Sequence, residues 1–350
     1  MPCQAVRRIG TPGFGTHRKL VPDLPECPSQ MPGVIAKCIM PLAREVDRKE
    51  PMNPSPAVSV VIASIVGAPF IDDCVASVLA QKNAPEFEVI VVDCRGPGNV
   101  ERLRGKFPEA RFVEVPRRES VPQLRAIGIQ SAQGGIVAVI EEHCVAAPDW
   151  LATLSAAFLP GYAAVGGPIH FRTDARLRDW ITYFIEYNSY LPPWTDGDTV
   201  RLADANVGYR KEILDDNLAS LGDGYWEATL HPKLLAEGAR FRSIPQLTVY
   251  HRGPFDYFYY LHQRYLFSRA FAGARRDTLS AAKRAVYLLA APAIPLLLLG
   301  RMAARVFAKR CYRDKFLLSL PLLVPAMASY VWGEWMGYAF GPGQALMEVE

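Results

Sequence analysis

The sequence predicts an α/β fold, a Rossmann-like mixed or parallel sheet flanked by helices, with hydrophobic membrane-type helices at the C-terminus. Three observations carry this expectation. VSVVIA (Val58–Ala63), EVIVVD (Glu88–Asp93) and GIVAVIEE (Gly135–Glu142) are runs with continuous apolar, largely β-branched cores. Strands apolar on both faces belong in a sheet covered by helices on both sides. Helix-like stretches at Phe70–Gln81, Val100–Phe107 and Val121–Ala132 separate them, which implies βαβ units. Beyond residue 279 the composition becomes that of membrane segments.

Residues 1–56 are rich in Pro, Gly and charge, without periodicity, and Pro51, Pro54 and Pro56 close them like a linker. They are expected to be a poorly ordered extension. They contain no long apolar stretch, so no secretory signal is expected. The α/β domain is expected at 57–255. Ligands of such sheets bind beyond the carboxyl ends of the strands. Residues 256–278, aromatic and basic, read as an amphipathic interface helix, and 279–340 as two hydrophobic segments.

The uncharged runs Ala285–Gly300 and Phe316–Gly333 hold 16 and 18 residues and flank a basic loop, 301–315, with six basic residues and one acid. Pro292, Pro295, Pro321 and Pro325 interrupt the runs and suit bent helices. Arg275, Arg276, Lys283 and Arg284 precede the first run, and no Lys or Arg follows Lys315. Positive-inside bias therefore keeps both flanks of the first run on the cytoplasmic side. A segment that dips into the interface satisfies this; a two-span hairpin is the rival. The expected location is the cell inner or plasma membrane, with the α/β domain in the cytoplasm.

Composition removes several classes. A net charge of +4, from 39 basic and 35 acidic residues without a dense basic face in the first 250, argues against a nucleic-acid partner. The seven cysteines form no CxxC pair and read as reduced thiols. The loop after the first strand is ASIVGAP rather than GxGxxG, and neither GxxxxGK[ST] nor GxSxG occurs.

Asp93 ends the second apolar run, while Glu141, Glu142 and His143 follow the third. Carboxylate with imidazole can hold a divalent cation, Mn²⁺ or Mg²⁺, against a diphosphate. Asp93, which precedes Gly96 and Gly98, reads equally as a turn or helix-capping residue, and Glu141–His143 as a solvated loop.

VSVVIAS, EVIVVD about 30 residues on, LRAIGI and IVAVIEEHCVAAPDWL together resemble glycosyltransferase family 2 in order and spacing, from about Val58 to Gly273. The resemblance implies a GT-A fold and a nucleotide-diphosphate sugar donor. The family's Asp-x-Asp is replaced here by Glu141-Glu142-His143, which puts the metal on His143, with Glu141 sharing it and nearer the ribose or sugar of the donor, and leaves Glu142 on the donor side. It also implies that Asp93 recognises the base, that Ala63 and Ser64 line the nucleoside pocket, and that Arg125 lies near the nucleotide. DANVGYRKEIL resembles the stretch bordering donor sugar and acceptor, with Asn206 and Arg210 as candidates; Asn206 reads equally as a strand-end turn residue.

GDGYWEATLHPKLLAEG resembles the family's acidic catalytic helix. An inverting transferase needs a carboxylate to deprotonate the acceptor hydroxyl. Glu227 is that candidate and Asp223 the reserve. His251, ending LTVYHRG, is implied at the metal or diphosphate, and Arg264 at phosphates. The absence of QxxRW implies transfer of a single sugar, to a lipid-linked or cell-envelope glycan acceptor. A catalytically inactive, membrane-attached binding or scaffold protein is the alternative, favoured by the EEH sequence and by Trp226 where the family has an acid.

Overall fold

The computed structural model describes residues 55–171, 175–217, 224–252, 256–276 and 278–349. The expectations for residues 1–54 and for Asp223 lie outside them.

The chain opens with strand β1 (Val58–Ser64), helix α1 (Phe70–Leu79), β2 (Phe87–Asp93), α2 (Pro97–Lys106), β3 (Arg111–Glu114), α3 (Val121–Ser131) and β4 (Ile136–Ile140). β5 (Cys144–Ala146), α4 (Trp150–Ala157), β6 (Tyr162–Gly166), β7 (Ile169–Phe171) and α5 (Asp179–Tyr187) follow. After β8 (Gly197–Thr199) come β9 (Asn206–Arg210), α6 (Lys211–Asp216), α7 (Glu227–Ala236), β10 (Arg240–Ser243) and β11 (Val249–His251). The main sheet has the order β3-β2-β1-β4-β9-β6-β10-β8. β3, β2, β1 and β4 are parallel, whereas β9 runs antiparallel to both β4 and β6. A second sheet, β5-β11-β7, covers one end.

The apolar runs alternate between two cores, as a doubly covered sheet requires. Val58, Val60 and Ile62 of β1 join Val89 and Val91 of β2 under α1 and α2, through Ile71, Val75, Val78, Val100 and Leu103. Val61, Ala63, Ile90 and Val92 face the other way, toward Leu124 and Ile129 of α3 and Leu230 and Leu234 of α7. Each such fully buried side chain contributes roughly 1.5–3 kcal/mol. The result is the mixed sheet flanked by helices that the sequence predicts, with the carboxyl ends of β1 and β4 and the amino end of β9 gathered at one edge.

The C-terminal part comprises α8 (Tyr257–Arg276), α9 (Ala281–Ala290), α10 (Ile294–Lys309), α11 (Arg313–Phe340) and α12 (Ala345–Glu348). A 3-10 turn at Ala291–Ala293, containing Pro292, breaks the first apolar segment. The second is continuous: α11 is one helix through Pro321 and Pro325. The basic segment 301–315 is also mostly helical. α10 continues to Lys309, and the turn is confined to Arg310 and Tyr312, both left-handed at φ 55° and 54°.

Ala281–Lys309 and Arg313–Phe340, of 29 and 28 residues with mean hydropathy 1.7 and 1.6, are long and apolar enough to cross a membrane. Only 11% and 33% of their most apolar stretches are buried. Leu289, Leu296, Leu297, Leu318, Trp332 and Phe340 are exposed. α11 nevertheless lies along α8 over most of its length: the Tyr257 hydroxyl donates to the Leu322 carbonyl at 2.9 Å and Ser329 to the Leu261 carbonyl at 2.7 Å. Gly333 and Gly337 make this possible, since a Cβ there would stand 2.2 Å from the Tyr265 carbonyl oxygen and 2.6 Å from that of Arg269.

Candidate active site

A cavity of about 470 Å³ opens at the ligand-binding edge of the sheet. Its wall contains Ala63, Arg125, Glu141, Glu142, His143, Asp204, Trp226, Glu227 and His251 on the sheet side. α8 closes it with Tyr260 and Arg264, and α10 with Leu298, Arg301, Met302 and Arg305. α11 adds Met327 and Tyr330, and the C-terminal Leu346 and Val349 complete the wall.

At the centre stands Arg125, buried on α3. Its Nη1 donates to Asp204 Oδ2 at 2.5 Å and its Nη2 to Glu141 Oε1 at 3.3 Å. α3 is fixed here by a capping box, in which Ser120 and Gln123 satisfy its first turn, and by Pro122 at the helix start. Glu141 follows β4 and also accepts from the Tyr187 hydroxyl at 2.5 Å. Burial, and next the charge of Asp204, push the Glu141 carboxyl up.

Glu227 is the first residue of α7, after a turn that presses on the start of α3. Gly224 (φ 105°) makes that approach, because a Cβ would lie 2.7 Å from Pro122. The Tyr225 amide donates to the Pro122 carbonyl at 2.7 Å. Burial first, then Asp204, raises Glu227 from 4.5 to about 8, against the opposing charge of Arg125. One carboxylate oxygen, Oε2, is buried without a hydrogen-bond partner among the described residues. A carboxyl in this setting takes up a proton near neutral pH, as a general base must.

Several candidates play other parts. Glu142 is a clamp for the loop after β1: its Oε1 accepts the amides of Ile65 and Val66 at 2.9 and 2.8 Å, and Oε2 that of Gly67 at 3.0 Å. Those bonds occupy the carboxylate that the resemblance assigns to the donor. Ser64 and Asp93 are joined to each other at 2.6 Å, and Asp93 also accepts from Asn99 and the Arg95 amide. Asp93 is fully buried and holds the turn into α2.

Asn206 and Arg210 are not among the residues that line the cavity. Asn206 is fully buried and spent on structure, accepting from the Trp150 indole and donating to the carbonyls of Pro168 and Leu247. Because β9 is antiparallel to β4, Arg210 stands beside Ile136, at the far end of the sheet from Ile140. Four residues along a strand separate the two ends by roughly 13 Å. There Arg210 donates to the carbonyls of Tyr162, Phe158 and Leu159. The residue of that stretch that reaches the cavity is Asp204.

His143 and His251 lie together, ring centroids 6.1 Å apart. Burial, and next the neighbouring His143, lower His251 to about 3, so its ring is neutral, with Nδ1 buried and unpartnered. Burial likewise lowers His143, against the pull of Glu142. Among the described residues no three His, Cys, Asp or Glu side chains stand close enough to hold a metal ion by themselves. Arg264 pairs with Glu186 of α5 at 2.9 Å, and burial, opposed by Arg264, pushes Glu186 up to about 7. No local pattern singles out α5, an aromatic helix, although its Glu186 and Tyr187 both reach the cavity.

Residues 59–218 match the family described as Glycosyl transferase family 2. No curated protein matches the chain. Among solved structures it is similar to the mannosyltransferase PcManGT from Pyrobaculum calidifontis in complex with GDP-Man and Mn²⁺, at 21% identity and TM-score 0.47, over 80% of this chain and 88% of that one. It is also similar to residues 1–349 of TarS from S. aureus, at 13% identity and TM-score 0.44, over 81% and 90%.

Proposed function

From the premise that residues 59–218 are a glycosyl transferase family 2 domain, we propose that the protein is a membrane-surface, inverting glycosyltransferase that moves one sugar from a nucleotide-diphosphate donor to a lipid-linked or cell-envelope glycan acceptor. The observation that carries this reading is Glu227, poised at about 8 in a cavity bounded by strand ends on one side and by apolar helices on the other.

Glu227 as carboxylate takes the proton of an acceptor hydroxyl entering from the α8 and α10 side, while that oxygen attacks the anomeric carbon from the face opposite the leaving diphosphate. Arg125 keeps Glu141 and Asp204 apart in charge and fixed in place. The Glu142 clamp shapes the loop after β1, where the nucleoside is expected to lie. Of the expected ligands, the imidazoles of His143 and His251, ring centroids 6.1 Å apart, would hold a divalent ion, while Glu141 is engaged by Arg125 and Tyr187. Such an ion would supply positive charge to offset that of the departing diphosphate.

The membrane role rests on the exposed apolar faces of α9 to α11. α11 is bound along α8, which carries His262, Arg264, Arg269, Arg275 and Arg276. A helix paired with so polar a partner is not surrounded by hydrocarbon, so the helices are read as lying in the interface. The test is a panel of sugar nucleotides scored for release of nucleoside diphosphate by the full chain. A panel without any release, and without nucleotide-dependent thermal stabilisation, removes the reading.

A further inference from the structure

Arg301 and Arg305 are one turn apart on α10 and both line the cavity. α10 is otherwise apolar along its first half, with Leu296 and Leu297 exposed outward. Two guanidinium groups on such a helix, turned toward a cavity, require an account. Arg305 donates to Asn188 Oδ1 at 2.5 Å, a neutral partner, and Arg301 makes no hydrogen bond or ion pair among the described residues. The charges that act on Arg305 most strongly are like charges, those of Arg201 and Arg301. Grouped arginines without a counter-charge form a site for an anion, and the guanidinium fork matches phosphoryl oxygens.

The cavity connects this cluster to Glu227. Tyr190, in the turn after α5, feels the charges of both Glu227 and Arg305. An anion bound at Arg301 and Arg305 therefore shares the cavity with Glu227 and with the apolar side chains of Leu298, Met302 and Met327. Beyond them lie the exposed apolar faces of α10 and α11. A phosphoryl group that bridges a polar end and a hydrocarbon chain fits this order of surfaces; a free anion leaves the apolar side unused.

We propose that Arg301 and Arg305 bind the phosphoryl group of a lipid head and so hold a phospholipid-linked acceptor with its polar end toward Glu227. This deepens the transferase reading and rests on it for the role of Glu227, but the anion site itself is testable without turnover.

The test is native mass spectrometry of the full chain in detergent, titrated with phosphatidic acid, with phosphatidylcholine and with inorganic phosphate. The wild type should retain phosphatidic acid in preference to phosphatidylcholine. R301Q and R305Q should each weaken that binding about tenfold, the scale of a lost charge-assisted contact, and Arg305→Lys should restore part of it. Arg310→Asn removes one positive charge at the exposed end of the same helix and should leave it unchanged. Equal loss in Arg310→Asn reduces the effect to surface charge and overturns the proposal. Full competition by inorganic phosphate at equal concentration overturns the lipid assignment. A parallel loss of nucleoside-diphosphate affinity in R301Q and R305Q gives the arginines to the donor instead and also overturns it. Selective phosphatidic acid binding in a chain that binds no nucleotide leaves the site standing while the transferase reading falls.

Discussion

Arg125 on α3 and Asp204 at the entrance to β9, 79 residues apart in the chain, are joined at 2.5 Å inside the cavity. The guanidinium is almost completely buried and also reaches Glu141, so one cation is shared between two carboxylates. Removing it should cost about 3–5 kcal/mol, the scale for breaking a buried pair from one side. Urea unfolding of Arg125→Met at pH 7 measures this directly. Arg125→Met with Asp204→Leu should recover much of the loss, since neither partner is then stranded. A single variant as stable as wild type contradicts the bridging role.

Glu227 sets a pH dependence with a defined sign. Its folded value of about 8 lies above the ordinary 4.5. Its contribution to stability is therefore present below pH 4.5 and lost as pH rises through about 8. Glu227→Gln should gain stability relative to wild type between those limits, a comparison that needs no substrate. In turnover the carboxylate is the active form, so kcat/KM should rise with pH to a plateau above about 8. Glu227→Gln should lower turnover by about two to four powers of ten, the scale of a lost general base. A fully active Glu227→Gln beside a dead Asp223→Asn transfers the role to Asp223.

The metal should depend on the donor. No three His, Cys, Asp or Glu ligands converge among the described residues. Mn²⁺ should therefore bind the chain weakly alone and about tenfold or more tightly with a nucleoside diphosphate, whose oxygens supply the missing ligands. Electron paramagnetic resonance of free Mn²⁺ reads both states. His143→Ala and His251→Ala should reduce the nucleotide-dependent component. Tight Mn²⁺ binding without nucleotide, or no effect of either variant, contradicts the assignment.

The legible parts of the sequence were those with a local signal. β1, β2 and β4 announced themselves because a strand buried on both faces must be apolar throughout, and β4 carried Glu141 to the ligand edge. Glu227 was legible because its acid opens a helix at a recognisable spacing. The positions of Asn206 and Arg210 depend on something that local pattern cannot reveal: the direction of β9. An antiparallel β9 puts its entrance, hence Asp204, at the cavity and sends Arg210 to the other end. Arg210→Ala should accordingly leave nucleotide affinity within about twofold while costing around 1 kcal/mol in stability, the value of lost hydrogen bonds to carbonyls. Glu186 and Tyr187 had no signal at all, because their position depends on α5 packing beneath the C-terminal helices.

The last prediction concerns how those helices meet the membrane. A hairpin that crosses twice puts the Arg310–Tyr312 turn on the far side of the bilayer. The packing opposes this. α11 is tied to α8 by hydrogen bonds at Leu261 and Leu322. Phe184 of α5 meets Phe316, near the start of α11, edge to face at 5.3 Å. Lys309 donates to the Pro193 carbonyl at 3.0 Å and also to the Leu191 carbonyl. The turn thus sits on the α/β domain itself, and crossing would strip it from these contacts. Single cysteines placed between 308 and 314 in a thiol-free variant should resist an impermeant maleimide added to intact cells and should react once the cells are opened. Cysteines replacing Leu289 and Leu297 should be protected in both conditions, because their side of the helices is expected to lie in lipid. Labelling of the turn from outside intact cells restores the two-span hairpin and would mean that the contacts with Pro193 and Phe184 do not persist in the membrane.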